Sequence, residues 1–448
     1  MASTYLSRTF GTATNRKKFT ISLWFKKASN SSNQQFLDTG VDGNNQDGFK
    51  IHSSQALKFN GYESGTTYEL QSNALLRDSS AWYNAVVSFD STQSTSTNRL
   101  KMYLNGEQIT SFSGATYPSL NFEPLMNKNT AHFIGSTFSN SNYFDGAMAM
   151  VEFVDGQQYG SEYFGSTDSN TGIWKPGGSS TISDYGTNGF KLKMDTTSPG
   201  ADTSGKGNTF TASGTPTLTQ GHPQNNWCTL NPVVFGGTSG QPVFSNGSTT
   251  ASTTAGGWHP AFGSIGVTSG KWYFETKVIG YNHCVVGIAN ERGTYNTVTS
   301  GFPPSQLYSY GIVCYDLGKK ETNNSRTAYG ASTNITDGQI IGTAFDLDNN
   351  KLYWSVNGTF KNSGDPTSGA TGTGAAYTLQ TGETYFPMII GNTSGGSNPA
   401  GGNLNFGEGF FGTTAAGTQA DDNGQGLFAY DVPAGYYAMN TKNLEAYG

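Results

Sequence analysis

Residues 343–358 read Thr-Ala-Phe-Asp-Leu-Asp-Asn-Asn-Lys-Leu-Tyr-Trp-Ser-Val-Asn-Gly. Two runs of strand-forming residues flank Asn349-Asn350, and Asn357-Gly358 closes the second. Asn-Gly at the end of such a run signals a tight hairpin, because a type I′ turn needs positive φ at both central positions. The first half of the chain repeats the order: Val87-Ser-Phe-Asp90 precedes Leu100-Lys-Met-Tyr-Leu104, which stops at Asn105-Gly106. Phe19, Ile21, Leu23 and Phe25 share one face of an extended chain, with Thr20, Ser22 and Trp24 on the other. Tyr83, Ala85, Val87 and Phe89 form a second row. Trp272, Phe274, Thr276 and Val278 alternate with Lys271, Tyr273, Glu275 and Lys277. Period-two faces predict sheets buried on one side and stacked in pairs. The expectation is an all-β protein of two β-sandwich domains; a single echo does not make a repeat array.

Composition agrees. Glycine supplies 60 of 448 residues, and each interior glycine costs a helix about 1 kcal/mol relative to alanine. Aromatics at 13% exclude a disordered chain, which is aromatic-poor. No stretch nears the roughly 20 apolar residues of a membrane helix, so membrane insertion is not expected. The opening Met-Ala-Ser-Thr-Tyr-Leu-Ser-Arg has no apolar core of the signal-peptide kind. A net charge of −6 argues against a broad phosphate-binding surface, hence against nucleic acid as partner.

At this length two or three domains are expected. Residues 1–165 are predicted as the first sandwich and 231–415 as the second. Between them, 166–230 is rich in Gly, Ser, Thr, Asn and Pro and is expected to be a Gly/Ser-rich, partly ordered connector, with a short strand near 189–194. Residues 416–448 are expected as an extension packing on the second domain. Residues 360–382 and 391–403 are expected as loops, where binding usually sits. Cys228, Cys284 and Cys314 lack metal-type spacing; the last two lie in apolar strand runs and are expected as free buried thiols, in keeping with a reducing site of synthesis.

Three resemblances follow from particular residues. The first 165 residues resemble laminin-G or concanavalin-A-like jelly rolls, through Phe19-Thr-Ile-Ser-Leu-Trp-Phe25, Trp82-Tyr-Asn-Ala-Val-Val-Ser-Phe-Asp90, Leu100-Lys-Met-Tyr-Leu-Asn-Gly106, His132-Phe-Ile-Gly135 and Phe144-Asp-Gly-Ala-Met-Ala-Met-Val-Glu-Phe153. Residues 258–411 are similar to a SPRY domain, through Gly270-Lys-Trp-Tyr-Phe-Glu275, Val286-Gly-Ile-Ala289, Tyr310-Gly-Ile-Val313, Phe345-Asp-Leu-Asp348, Leu352-Tyr-Trp-Ser-Val-Asn-Gly358, Tyr385-Phe-Pro387 and Asn405-Phe-Gly407. The whole chain looks like marine bacteriophage structural proteins, through its Tyr5-Leu-Ser-Arg8 start, Gly186-Thr-Asn-Gly-Phe190 and Thr229-Leu-Asn-Pro232. That last resemblance implies a virion component, such as a tail fibre, spike or head fibre with lectin-like domains.

Catalytic patterns are sparse. A retaining glycosidase needs two carboxylates about 5 Å apart, and on one strand that requires same-face acids. The nearest pair, Glu152-Phe-Val-Asp155, points to opposite faces, and Glu152 is expected as an exposed strand residue. Gly200-Ala-Asp-Thr-Ser-Gly-Lys206 has phosphate-loop spacing, but Gly207 stands where Ser or Thr is required and no helix follows. The five histidines have no zinc-type partners at short spacing. Calcium is the one cofactor considered: Asp38, Asp42, Asn44 and Asp47 offer oxygens in a tight loop, although hairpin turns favour the same residues.

For glycans the useful groups are aromatics, which stack on sugar C–H faces. Loop aromatics include Tyr62, Tyr143, Trp258, Tyr295 and Tyr308. The SPRY resemblance places ligands at the loops of one sandwich end and so nominates Trp258, Tyr295 and Tyr308. The lysines around Arg16-Lys-Lys18 and Lys26-Lys27 are expected as a solvated strand edge. The leading expectation is a non-enzymatic protein of the virion surface, made in the host cytoplasm, adhering to host surface polysaccharide. Its partners would be other virion proteins, in a homo-oligomer such as a trimer. The alternatives are a structural capsid or tail decoration without host ligand, and a polysaccharide depolymerase.

Overall fold

A computed structural model of the chain describes residues 4–29, 32–63, 65–195, 198–235, 241–280, 283–291, 309–330, 332–393 and 399–448. Its contacts divide the chain into two units, Met1–Leu218 and Thr219–Gly448. Both are all-β sandwiches, as the alternation predicts. In both hairpins the Asn-Gly pair has the expected positive φ: 47° and 89° at Asn105 and Gly106, 49° and 78° at Asn357 and Gly358.

In the first unit an eight-stranded sheet runs in the order Phe112–Thr116, Thr66–Leu75, Ala56–Glu63, Asn45–Ile51, Gln34–Asp42, Ala131–Ile134, Tyr5–Thr9, Thr211–Ser213. It faces a six-stranded sheet ordered Phe190–Leu192, Gly146–Asp155, Lys18–Lys27, Tyr83–Asp90, Leu100–Leu104, Glu107–Gln108. The core between them is aromatic. Phe19 stacks on Phe89 at 4.7 Å and on Phe153 at 5.6 Å between ring centroids.

The region expected as a connector has its expected short strand, at Phe190–Leu192, but is part of the first unit. Residues 166–218 belong to the first unit: Phe190–Leu192 pairs with Gly146–Asp155, and Thr211–Ser213 with Tyr5–Thr9. Amide and carboxylate hydrogen bonds hold this stretch where hydrophobic periodicity is weak. The Asp155 carboxylate accepts from Thr14 N (2.7 Å), Asn15 N (3.1 Å), Asn188 N (3.1 Å) and Asn127 Nδ2 (2.6 Å). Asn188 in turn holds both Gly11 N (2.8 Å) and Gly11 O (3.1 Å).

The outer face of the six-stranded sheet is covered as well, which the two-layer reading did not anticipate. Val86, Val154, Phe164 and Tyr185 form a second apolar cluster there, with Tyr159 and Tyr163 against it. Thr20 Oγ1 donates to Gln157 O at 2.9 Å and accepts from Tyr159 N at 2.8 Å. Small hydroxyl residues on this face thus meet the backbone of the covering segment. Two further expectations are corrected by the same burial. Glu152 is 6% exposed, bound to the Tyr185 hydroxyl (2.5 Å) and Lys191 Nζ (3.2 Å). Lys26 and Lys27 are buried because their strand is central; the Lys27 ammonium donates to Gln55 Oε1 and to Leu76 O.

In the second unit a seven-stranded sheet is ordered Leu230–Phe235, His259–Gly263, Tyr385–Gly391, Val285–Asn290, Ser309–Val313, Lys319–Thr322, Ser325–Thr327. The facing sheet runs Val243–Ser245, Thr250–Thr253, Ala400–Asn405, Lys271–Ile279, Ile340–Asp346, Lys351–Val356, Thr359–Phe360. Residues 400–403 are therefore strand, where a loop was expected.

Residues after 416 lie over this second sheet. Tyr437–Ala438 pairs in parallel with Trp272 and Tyr273, while Phe428 and Tyr436 cluster with Tyr273 and Tyr353. Glu275, fully buried, accepts from Ala429 N (2.9 Å), Tyr430 N (2.9 Å) and the Tyr273 hydroxyl (3.2 Å). The two ends of the unit meet: Cys228 N donates to Met439 O at 2.9 Å, and Thr441 N to Asn226 O at 2.9 Å.

Candidate functional site

Strand parity builds the site. Along Val285–Asn290 and Ser309–Val313, Val286, Ile288 and Ile312 point into the sandwich, while Val285, Ala289 and Val313 point outward. Phe262, Met388 and Ile390 join them on the outer face. Trp258 and Tyr315 pack on this cluster, half-buried, at the end of the sheet where His259–Gly263 and Val285–Asn290 begin and Ser309–Val313 ends.

Here three rings converge. Trp258 lies 5.9 Å from His283 and 6.3 Å from Tyr315, and His283 lies 4.6 Å from Tyr315 between centroids. Arg326 borders them, its guanidinium 5.3 Å from the Tyr315 ring centroid. It donates to the Tyr315 hydroxyl (3.1 Å), Asp316 Oδ2 (3.1 Å) and Glu321 Oε2 (2.7 Å), and Lys319 Nζ lies 3.1 Å from Asp316 Oδ1. Burial raises the Asp316 carboxyl, but the hydrogen bonds from Lys319 and Arg326 outweigh it and hold it below the usual carboxylate range. Burial likewise raises the Tyr315 phenol, which stays neutral and accepts from Arg326. Two cations and two carboxylates balance, so the border is polar without net charge.

A groove of about 470 Å³ opens at the same end, lined by Asn334, Gln339, Thr359, Phe360, Lys361 and Asn362 among others. Ile335 N donates to Cys314 O at 2.9 Å, tying the groove wall to the strand that carries Tyr315. Apolar ring faces beside amides, hydroxyls and a guanidinium are the groups that hold a sugar: C–H faces stack and hydroxyls take directed hydrogen bonds.

Of the residues nominated from sequence, Trp258 lies in this cluster. Tyr295 and Tyr308 lie outside the described residues. Tyr143 sits on the first unit, 6.4 Å from Tyr5, which is 5.9 Å from Phe133; Tyr62 is half-buried on the strand Ala56–Glu63. His283, Tyr315 and Arg326 were missed. The available signal for the two rings was position: His283 stands just before the apolar run that begins at Cys284, and Tyr315 just after the one that ends at Cys314.

The four candidate calcium ligands do not come together. Thr39 pairs with Asp47 and Asp38 with Gly48, so the two buried aspartates point to opposite faces of the sheet. Asp38 accepts from Phe138 N (2.7 Å) and Gln35 Nε2 (2.8 Å), and Asp47 from Met126 N (2.6 Å). Burial pushes each carboxyl up to about 7. Asp42 and Asn44 are at the exposed hairpin tip, where Asp42 Oδ1 caps Asn44 N at 2.8 Å. Among the described residues no group of three or more His, Cys, Asp or Glu side chains is placed to share a metal ion.

The family comparison covers the first sandwich. Residues 2–162 match the family model described as the concanavalin A-like lectin/glucanases superfamily. Similar solved structures include domains LG4-5 of the mouse laminin alpha1 chain, 11% identical over 90% of this chain and 84% of that one, with a TM-score of 0.31. The SPRY domain of human HERC1 is 16% identical over 39% of this chain and 94% of its own, with a TM-score of 0.29. The Ruminococcus gnavus IT-sialidase CBM40 is 16% identical over 29% of this chain and 68% of its own, with a TM-score of 0.22.

Proposed function

We propose that this protein is a non-catalytic glycan-binding component of a bacteriophage particle, displayed on its surface and adhering to host polysaccharide through the end of the second sandwich. The observation that carries the reading is the convergence of Trp258, His283 and Tyr315 beside Arg326. The family match of residues 2–162 to lectins and glucanases supports a carbohydrate ligand. The acid pair that the sequence pattern offers a hydrolase is engaged structurally, which favours a binding role for the chain over a catalytic one: Glu152 is held by Tyr185 and Lys191, and Asp155 by four N–H donors. The phage setting rests on the sequence resemblance of the Tyr5-Leu-Ser-Arg8 and Thr229-Leu-Asn-Pro232 segments. Repeated copies on a particle would raise weak single-site binding by orders of magnitude.

The test is binding of the wild-type chain and a Trp258→Ala/Tyr315→Ala variant to a panel of immobilised bacterial surface polysaccharides. Removing both rings is expected to weaken binding at least about tenfold, the equivalent of roughly 1.4 kcal/mol. Equal binding by a variant with unchanged circular dichroism and melting refutes the site. Sugar release by the wild type refutes the non-catalytic reading. Antibody labelling of intact particles tests the virion assignment.

A further inference from the structure

We propose that Cys284 and Cys314 are a paired-thiol site that closes to a cross-strand disulfide under oxidising conditions, clasping the hairpin directly beneath the ring cluster. Val285 is opposite Val313, so the next step along the antiparallel ladder sets Cys284 opposite Cys314. Cys314 N donates to Cys284 O at 3.0 Å. Opposed residues that share such a bond have Cα atoms about 5.5 Å apart, within the roughly 4.4–6.8 Å that a disulfide spans.

Parity puts both side chains on the same face. Cys284 and Cys314 belong to the inner core, whereas Val285 and Val313 point outward. Cys284 Sγ donates to Gly401 O at 3.3 Å, and both thiols are fully buried. The hydrogen bond to Cys284, then burial, raise the Cys314 thiol well above its ordinary value. Direct attack by an oxidant on the closed fold is therefore slow, and the bond forms during folding or local opening. Cys228 is remote: it lies beside Gly263, at the other end of the strand that begins at His259.

The chemistry balances with a two-electron oxidant such as oxidised glutathione. One thiolate attacks the glutathione sulfur and expels a glutathione thiolate. The second attacks the mixed disulfide and expels the other. Both leaving thiolates take up the two protons released by the cysteines. One residue beyond the thiols, in the turns at the strand ends, His283 and Tyr315 have rings 4.6 Å apart. Closing the clasp therefore fixes the strand separation on which that ring contact rests.

The experiment equilibrates the full-length chain in glutathione buffers from fully reduced to fully oxidised, refolding it in each. Free thiols are then alkylated and the peptides mapped. Two of the three thiols are expected to disappear, with a Cys284–Cys314 linkage and a rise in melting temperature of roughly 5–10 °C. A Cys228→Ser variant is expected to form the same linkage. Three alkylated cysteines in every buffer overturn the proposal, as does a linkage that includes Cys228. Glycan binding is not read in this assay, so its outcome is independent of the proposed ligand.

Discussion

Glu275 offers a quantitative test of how the second unit is held. Its carboxylate sits fully buried under the C-terminal segment, and burial pushes its pKa from 4.5 up to about 7 despite the N–H donors of Ala429 and Tyr430. Below pH 4.5 both folded and unfolded states hold the proton. Between 4.5 and about 7 the unfolded chain releases it first, so stability falls as pH rises through this window. A tenfold difference in proton affinity is worth about 1.4 kcal/mol, so the full interval is worth about 3 kcal/mol. Glu275→Gln removes the titration. It also costs one hydrogen bond, a loss that does not depend on pH. Relative to wild type, the variant should therefore gain about 3 kcal/mol between pH 4.5 and pH 8. Other groups, such as His132, which burial pushes down to about 3, cancel in that comparison. Urea titration read by hydrogen exchange in peptides covering Lys271–Ile279 reports this unit separately. A wild-type-to-variant difference that is flat across pH refutes the reasoning.

Two further outcomes follow from the first unit. Asp155→Ala strips the acceptor from four N–H groups and should cost about 3–5 kcal/mol in urea unfolding, with Asp155→Asn losing less; a cost under about 1 kcal/mol contradicts the role given to this carboxylate. Because Asp38 and Asp47 point to opposite faces of their sheet, adding calcium or removing it with EDTA should leave the melting temperature unchanged; a calcium-dependent rise would require these side chains to be rearranged.

The sandwiches were legible because their strands obey a rule of two. Rows such as Phe19 to Phe25 and Trp272 to Val278 lie in the two cores, and both Asn-Gly turns take the predicted backbone. The layer covering the six-stranded sheet of the first unit was not legible. Nothing in the alternation of Thr20, Ser22 and Trp24 distinguishes a face met by water from one met by the backbone of residues 157–159, since hydroxyls satisfy either. Residues 166–218 were legible only at the short strand near 189–194: amides and carboxylates such as Asn188 and Asp202 anchor the rest, and a polar stretch that makes such bonds has the composition of a linker. Asp38 and Asp47 misled because register decides their faces, and bulges between Gln35 and Leu37 and between Gly40 and Asp42 set that register. At the candidate site Trp258 was visible as a loop aromatic. His283 and Tyr315 were hidden because their meeting depends on the register in which two neighbouring strands pair, and both residues lie in turns just beyond the strand ends.

The contact between residues 226–228 and 439–441 has an architectural consequence. A body whose entry and exit lie side by side can be lifted out of one chain and spliced into an exposed turn of another with little effect on the host's backbone path. The second sandwich is in this sense a plug-in cassette. An excised piece must start near 219 and run past Thr441, since a cut at 415 would discard the cap that closes over Tyr273 and Glu275.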